Sequence, residues 1–146
     1  MKTRQRGAAL VELALILPLL LLLTFITTEF GRAMYQYNTI TKSVRDAVRY
    51  LSVQTPGTGE DQARNLIVYG NLAGNGAPLV LNLVPANVLP PTWQPAGSVP
   101  TINTVTVTVR GYTFRPLFGN VFGLAFGDAN GGIPYGDITA TMRAPS

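Results

Sequence analysis

A chain of 146 residues and 15.6 kDa suits one compact unit and excludes a multidomain enzyme. With 47% hydrophobic and 12% charged residues and a mean hydropathy of +0.23, it is too apolar to be disordered, and part of the apolar excess must lie in a membrane or a partner. Absence of Cys and His removes thiol nucleophiles, disulfides, Cys/His zinc sites and imidazole bases, while Lys2, Arg4 and Arg6 account for most of the net +4 and make the pI near 9.8 a property of the N-terminus rather than of a nucleic-acid-binding face.

In chain order, residues 1–7 form a basic leader. Ala8 to Ile26 reads AALVELALILPLLLLLTFI, in which Glu12 is the one charge and Pro18 the one helix breaker. At a rise of about 1.5 Å per residue this run covers roughly 28 Å, close to the ~30 Å core of a bilayer, and predicts a transmembrane helix. The basic residues ahead of it place the N-terminus on the cytoplasmic side and the rest of the chain outside. A cleavable secretory signal shares the charged start, but the apolar run is too long for one and TFITTEFGRAMY contains no small-x-small cleavage triplet. Glu12 is the anomaly, since a carboxylate in hydrocarbon costs about 2.5–3.5 kcal/mol. It either stays near the interface or meets a cationic partner.

From Phe30 to Leu51 the apolar positions Phe30, Ala33, Met34, Tyr37, Ile40, Val44, Ala47, Val48 and Leu51 recur at three and four. That spacing extends the helix to about residue 52 and gives it a face for the core of an outer domain, residues 53–146. Glu29 and Arg32 compensate each other near the membrane exit. Thr55-Pro-Gly-Thr-Gly ends the helix, and Glu60 to Tyr69 predicts a short second helix with its acids in the first turn and Gly70 as its stop. Six prolines between residues 71 and 101 fragment that stretch, leaving at most a short strand at Leu79 to Leu83. Trp93 there reads as a loop anchor, with a contact site as the alternative.

Asn103 to Phe114 alternates Val105, Val107 and Val109 with threonines and predicts a strand with one buried face. Ile138 to Arg143 alternates likewise and should pair with it antiparallel. Between them PLFGNVFGLAFG, residues 116–127, is apolar but too short to span. It is either a core hairpin arm or a segment lying against the outer leaflet or a partner. Asp128, Asn130 and Asp137 offer oxygens for calcium, but Gly132 stands at the fifth place and no terminal Glu follows, so a turn is expected. GTGEDQ from Gly57 lacks the Lys of a phosphate loop, and Ser43, Ser52, Ser98 and Ser146 have no His to activate them. No catalytic residue, metal ligand or cofactor is assigned. The fold class is α+β: a long N-terminal transmembrane helix extending into a small outer domain with a short antiparallel sheet.

Lys-x-Arg-x-Arg-Gly followed by AALVE resembles a class III signal, which membrane prepilin peptidases cut after the Gly. The stretch from Arg6 to Tyr50, with Glu12, Pro18, Glu29, Phe30, Gly31 and Arg32 in place, resembles the TadE-like family of the tight adherence, or Flp, pilus system. ARNLIVYGN at Ala63 to Asn71 and ITATMR at Ile138 to Arg143 resemble segments of that family's outer domain. The resemblance implies a pilin-like minor pilin or pseudopilin that helps initiate, prime or cap a Flp pilus for cell adhesion. It also implies a bacterial inner-membrane location or one on the pilus, with partners in other pilin-like subunits and the assembly platform. It assigns Gly7, Ala8 and Glu12 to peptidase recognition, and Ala8 and Glu12 to subunit assembly through the ammonium of a neighbouring chain. Leu13 departs from the Tyr that follows Glu in the Flp-type signal, so the resemblance leaves both a cut and an uncut N-terminus open. The alternative function is a signal-anchored surface binding module that enters no filament.

Overall fold

The computed structural model describes residues 3–117, 119–121, 124–125, 127–128 and 130–144, with the backbone alone at 3–6, 121 and 124–125. Helix α1 runs unbroken from Thr3 to Leu51, 49 residues or about 74 Å at the α-helical rise. It begins earlier than expected, so Gly7 and Ala8 lie inside its second turn. Met1 and Lys2, and the side chains of Arg4 and Arg6, lie outside the described residues. Pro18 sits within α1; its missing N–H frees one carbonyl in the preceding turn, which membrane helices tolerate. Thr24, Thr27 and Thr28 each donate a hydroxyl to the carbonyl four residues earlier at 2.8 Å, which removes their polarity from the helix surface.

The two halves of α1 live in different surroundings. Ile40, Val44, Ala47, Val48 and Leu51 are fully buried and form one wall of the hydrophobic core. Phe30, Met34 and Tyr37, expected on the same face, are exposed instead. The apolar spacing continues down the helix, but the domain's aliphatic core stops at Ile40 and aromatic and polar contacts take over below it.

Helix α2 spans Glu60–Tyr69, as expected, and packs Ala63, Ile67 and Val68 against α1. Gly70 ends it in the left-handed region at φ 74°, its N–H on the Leu66 carbonyl, where any Cβ would stand 2.9 Å from a Leu79 methyl.

The sheet holds three antiparallel strands in the order β1 (Thr92–Ala96), β2 (Ile102–Val109) and β7 (Ile138–Arg143), the last numbered after four two-residue strands that precede it. The β2–β7 pairing was legible in the alternation, and its register sets Val105 opposite Met142, Val107 opposite Ala140 and Val109 opposite Ile138. Those valines are buried against the helices, while on the other face Thr106 and Thr141 share a hydroxyl hydrogen bond of 2.8 Å and Thr108 and Thr139 one of 3.0 Å.

Three expectations need correction. Leu79 to Leu83 is no strand, because Asn82 turns the backbone into the left-handed region at φ 66°. The strand in that stretch is β1, with Trp93 half-buried opposite Val105 rather than in a loop; as an edge strand it tolerates Pro95. Finally, the strand expected over Asn103 to Phe114 stops at Val109. Gly111 at φ 70° redirects the chain, and Thr113–Phe114 forms a separate strand β3 paired with β6, Ile133–Pro134. The remaining pair, β4 (Asn120–Val121) and β5 (Leu124–Ala125), is a small hairpin between them.

Candidate assembly surface and its collar

The lower half of α1 is largely exposed. Its most apolar 18-residue window has a mean hydropathy of 2.7 and none of it is buried. Leu10, Leu15, Leu19 and Leu23 are 60–75% exposed, and each would gain about 1.5–3 kcal/mol on leaving water. A helix segment long enough to cross a bilayer, predominantly apolar and with none of its most apolar window buried in the domain, is a single-pass membrane anchor.

Gly7, Ala8 and Glu12 lie on this bare stretch, all exposed. Nothing stands within 4 Å of a Cβ built on Gly7. Ala8 and Glu12 are four residues apart, one helical turn and about 6 Å along the axis, so they share a face. No hydrogen bond or ion pair joins Glu12 to another described residue.

Above the anchor the C-terminal residues grip α1 through a collar that sequence reading only partly identified. Glu29 is 8% exposed. One of its oxygens accepts from the Arg32 guanidinium at 2.6 Å and the other from the backbone N–H of Leu117 at 3.1 Å. The Arg32 guanidinium stands 5.5 Å from the centre of the Phe114 ring, within cation–π range. The expected Glu29–Arg32 pair is thus present and also clasps a segment 88 residues away.

Tyr135 lies at the centre of the collar. Its hydroxyl donates to the Ala33 carbonyl at 2.6 Å. Its ring meets Tyr37 edge-on at 5.7 Å, Tyr112 at 5.3 Å and Phe114 in parallel at 6.5 Å. The Tyr112 hydroxyl is 2.8 Å from the Leu81 carbonyl and 2.7 Å from the Gln36 side-chain oxygen. A phenol has one proton, so serving both neighbours requires the Gln36 amide to turn its nitrogen toward Tyr112. Burial pushes the Tyr112 hydroxyl up to about 12, with Tyr135 adding to the shift and Arg32 opposing it. Burial raises Tyr135 as well.

Beside the collar, Arg110 donates from Nε at 2.8 Å and Nη2 at 2.6 Å to one oxygen of Asp137. That hydrogen-bonded charge pair holds the Asp137 carboxyl below its ordinary value and Arg110 above its own; being exposed, it adds little stability. Neither tyrosine was singled out in the sequence, although Gly-Tyr-Thr-Phe and Ile-Pro-Tyr-Gly flank the apolar arm and were a signal.

The Asp128 loop has the geometry of a turn. One Asp128 oxygen accepts the N–H groups of Asn130 and Gly132, both at 2.9 Å. No cluster of metal-ligating side chains occurs among the described residues.

Anchor, collar and small α+β unit together define a single-span membrane protein whose bare helix is its most distinctive surface. Residues 7–49 match the model of the family described as TadE-like protein, which covers nearly all of α1 and confirms the resemblance read from Arg6 to Tyr50. The match does not reach the α2 and β7 segments. The likeness is confined to α1, less than a third of the chain, and it points to tight adherence pilus systems. No curated protein matches the chain, and no solved structure does.

Proposed function

We propose that this protein acts structurally in assembly of a Flp-type tight adherence pilus, as a pilin-like minor subunit or pseudopilin that initiates, primes or caps the filament. The observation that carries this reading is the coincidence of the TadE-like match with a helix half that the rest of the chain leaves largely exposed. Such a surface has two uses, contact with lipid and contact with other helices. Glu12 argues for the second, because its desolvation is best offset by a cation brought in by a neighbour.

In this scheme a prepilin peptidase removes residues 1–7, exposing the Ala8 ammonium one turn from Glu12. Gly7 suits the cut: in a helix it is about 1 kcal/mol less favourable than Ala, so the turn to be cleaved opens readily. The basic leader holds the N-terminus in the cytoplasm, residues 8–26 span the inner membrane, and residues 53–146 lie outside. The partners are other pilin-like subunits and the assembly platform.

A photo-crosslinking residue replacing Leu15 in the native host tests the role. Adducts with a pilin-like subunit, and loss of pili when the gene is deleted, are expected. Normal piliation in the deletion strain, with no protein adduct at Leu15, would instead support an anchored binding module that enters no filament.

A further inference from the structure

The outer domain carries two Asn-Gly pairs, Asn75-Gly76 and Asn130-Gly131. In such a pair the backbone nitrogen of the glycine can attack the carbonyl carbon of the asparagine side chain, because no Cβ on the glycine stands in the way. What the fold does with that nitrogen decides whether the attack occurs.

At Asn130 the nitrogen is engaged. The Gly131 N–H donates to the Asp128 carbonyl at 2.9 Å, and one Asp128 carboxylate oxygen accepts the N–H groups of Asn130 and Gly132. Gly131 must give up its bond before it can react, and the carboxylate beside it opposes formation of a second negative charge on the peptide.

At Asn75 the surroundings are the reverse. Asn75 and Gly76 are both exposed and lie outside any helix or strand. Among the described residues no hydrogen bond engages the Gly76 N–H or the Asn75 side chain. Gly76 has φ 93°, and nothing stands within 4 Å of a Cβ built on it. The main chain of Asn75 is held instead: its N–H donates to Asn71 Oδ1 at 3.3 Å, and its carbonyl accepts from Asn71 Nδ2 at 2.8 Å. The second bond draws electron density out of the Asn75–Gly76 peptide, which makes the Gly76 N–H easier to deprotonate.

We propose that Asn75 is a self-modification site, converted to isoaspartate and aspartate through a cyclic imide, while the turn at Asp128 preserves Asn130. Hydroxide takes the Gly76 N–H proton, and the nitrogen bonds to Asn75 Cγ. The Cγ–Nδ2 bond then breaks, and the amide nitrogen leaves as ammonia with a proton from water. A water molecule opens the imide at either carbonyl. Opening at Cγ gives aspartate, and opening at the backbone carbonyl gives isoaspartate with a free α-carboxylate. That carboxylate keeps the oxygen to which Asn71 Nδ2 already donates, so a donor is in place for the new charge. Asn71 Nδ2 also reaches the Tyr69 carbonyl at 3.2 Å, at the last residue of α2. The modification therefore sets a negative charge against the helix end that disfavours one. The proposal depends on neither the membrane span nor the pilus assignment.

The test incubates the full chain in detergent micelles at mildly alkaline pH in isotopically labelled water. Mass spectrometry then follows the peptides holding Asn75 and Asn130, with fragmentation that separates isoaspartate from aspartate. Loss of the amide should be several-fold faster at Asn75, with labelled oxygen incorporated and isoaspartate exceeding aspartate. Unfolding the outer domain in guanidinium should bring the two rates together, and Asp128→Ala should raise the rate at Asn130 several-fold in the folded chain. Equal rates in the folded chain, or faster loss at Asn130, would overturn the proposal. So would an Asn75 that reacts only after unfolding, or a difference between the sites that persists unchanged in guanidinium.

Discussion

Replacing Glu29 by Ala should loosen the grip of the C-terminal unit on α1 without unfolding it. The substitution removes the acceptor for two hydrogen bonds, from Arg32 at 2.6 Å and from the Leu117 N–H at 3.1 Å. Bonds to a charged group contribute about 1.5–3 kcal/mol each when nothing replaces them. Here water replaces part, since the Arg32 side chain is 27% exposed and Leu117 is open to solvent. The two together should contribute about 2 kcal/mol, or a ~30-fold change in the local opening equilibrium. Glu29→Gln keeps an acceptor for Leu117 but loses the charge that faces Arg32, and should give about fivefold. Hydrogen exchange of the protein in micelles reads this directly, because local opening is reported amide by amide. Faster exchange is expected at Leu117, with the β2 and β7 amides unchanged. A Leu117 amide in Glu29→Ala that exchanges within about twofold of the parent would refute the claim that Glu29 holds the collar.

Other tests reach the remaining parts of the account. Intact mass of the membrane-extracted protein should show loss of residues 1–7, and a bulky residue at Gly7 should block the cut while leaving the helix intact, because nothing lies within 4 Å of that position; full-length mass in cells with active peptidase contradicts processing. Protease added to spheroplasts should digest the segment holding Trp93 and spare α1 up to the membrane exit, and complete protection under permeable conditions contradicts the orientation. For Tyr112 the folded pKa of about 12 lies above the ordinary 10.0, so its contribution is complete below the ordinary value and is lost as pH climbs from there through the folded one. Tyr112→Phe should flatten this alkaline decline in unfolding stability, and an unchanged slope would show that another group causes it.

What the sequence revealed and what it hid divides along local and distant causes. Helix α2 was legible because its signals are its own residues, Glu60 and Asp61 in the first turn and Gly70 at the stop. Strands β2 and β7 were legible because alternation marks a half-buried strand whatever its partner is. Strand β1 was not: Trp93 to Pro95 acquires strand geometry only from pairing with Asn103 to Val105, and the more apolar Leu79 to Leu83 drew the assignment until Asn82 broke it. The collar was least legible, since Tyr112–Gln36, Leu117–Glu29 and Tyr135–Ala33 are 76, 88 and 102 residues apart. The proposed peptidase-recognition residues Gly7, Ala8 and Glu12, the last two also proposed for assembly, were chosen from spacing and resemblance. The structure adds that all three are exposed.

The central claim is that the bare face of α1 around Glu12 is an assembly surface and not only an anchor. Piliation of cells whose sole copy carries Glu12→Gln, measured beside the membrane level of the variant, tests it most directly. Gln keeps the size and hydrogen-bonding capacity of Glu but removes the charge, so insertion becomes easier while docking loses its electrostatic guide. The account predicts a variant that is processed and present in the membrane in cells with few or no pili. Parental piliation at parental membrane levels would contradict it and leave Glu12 an interfacial acid with no part in assembly.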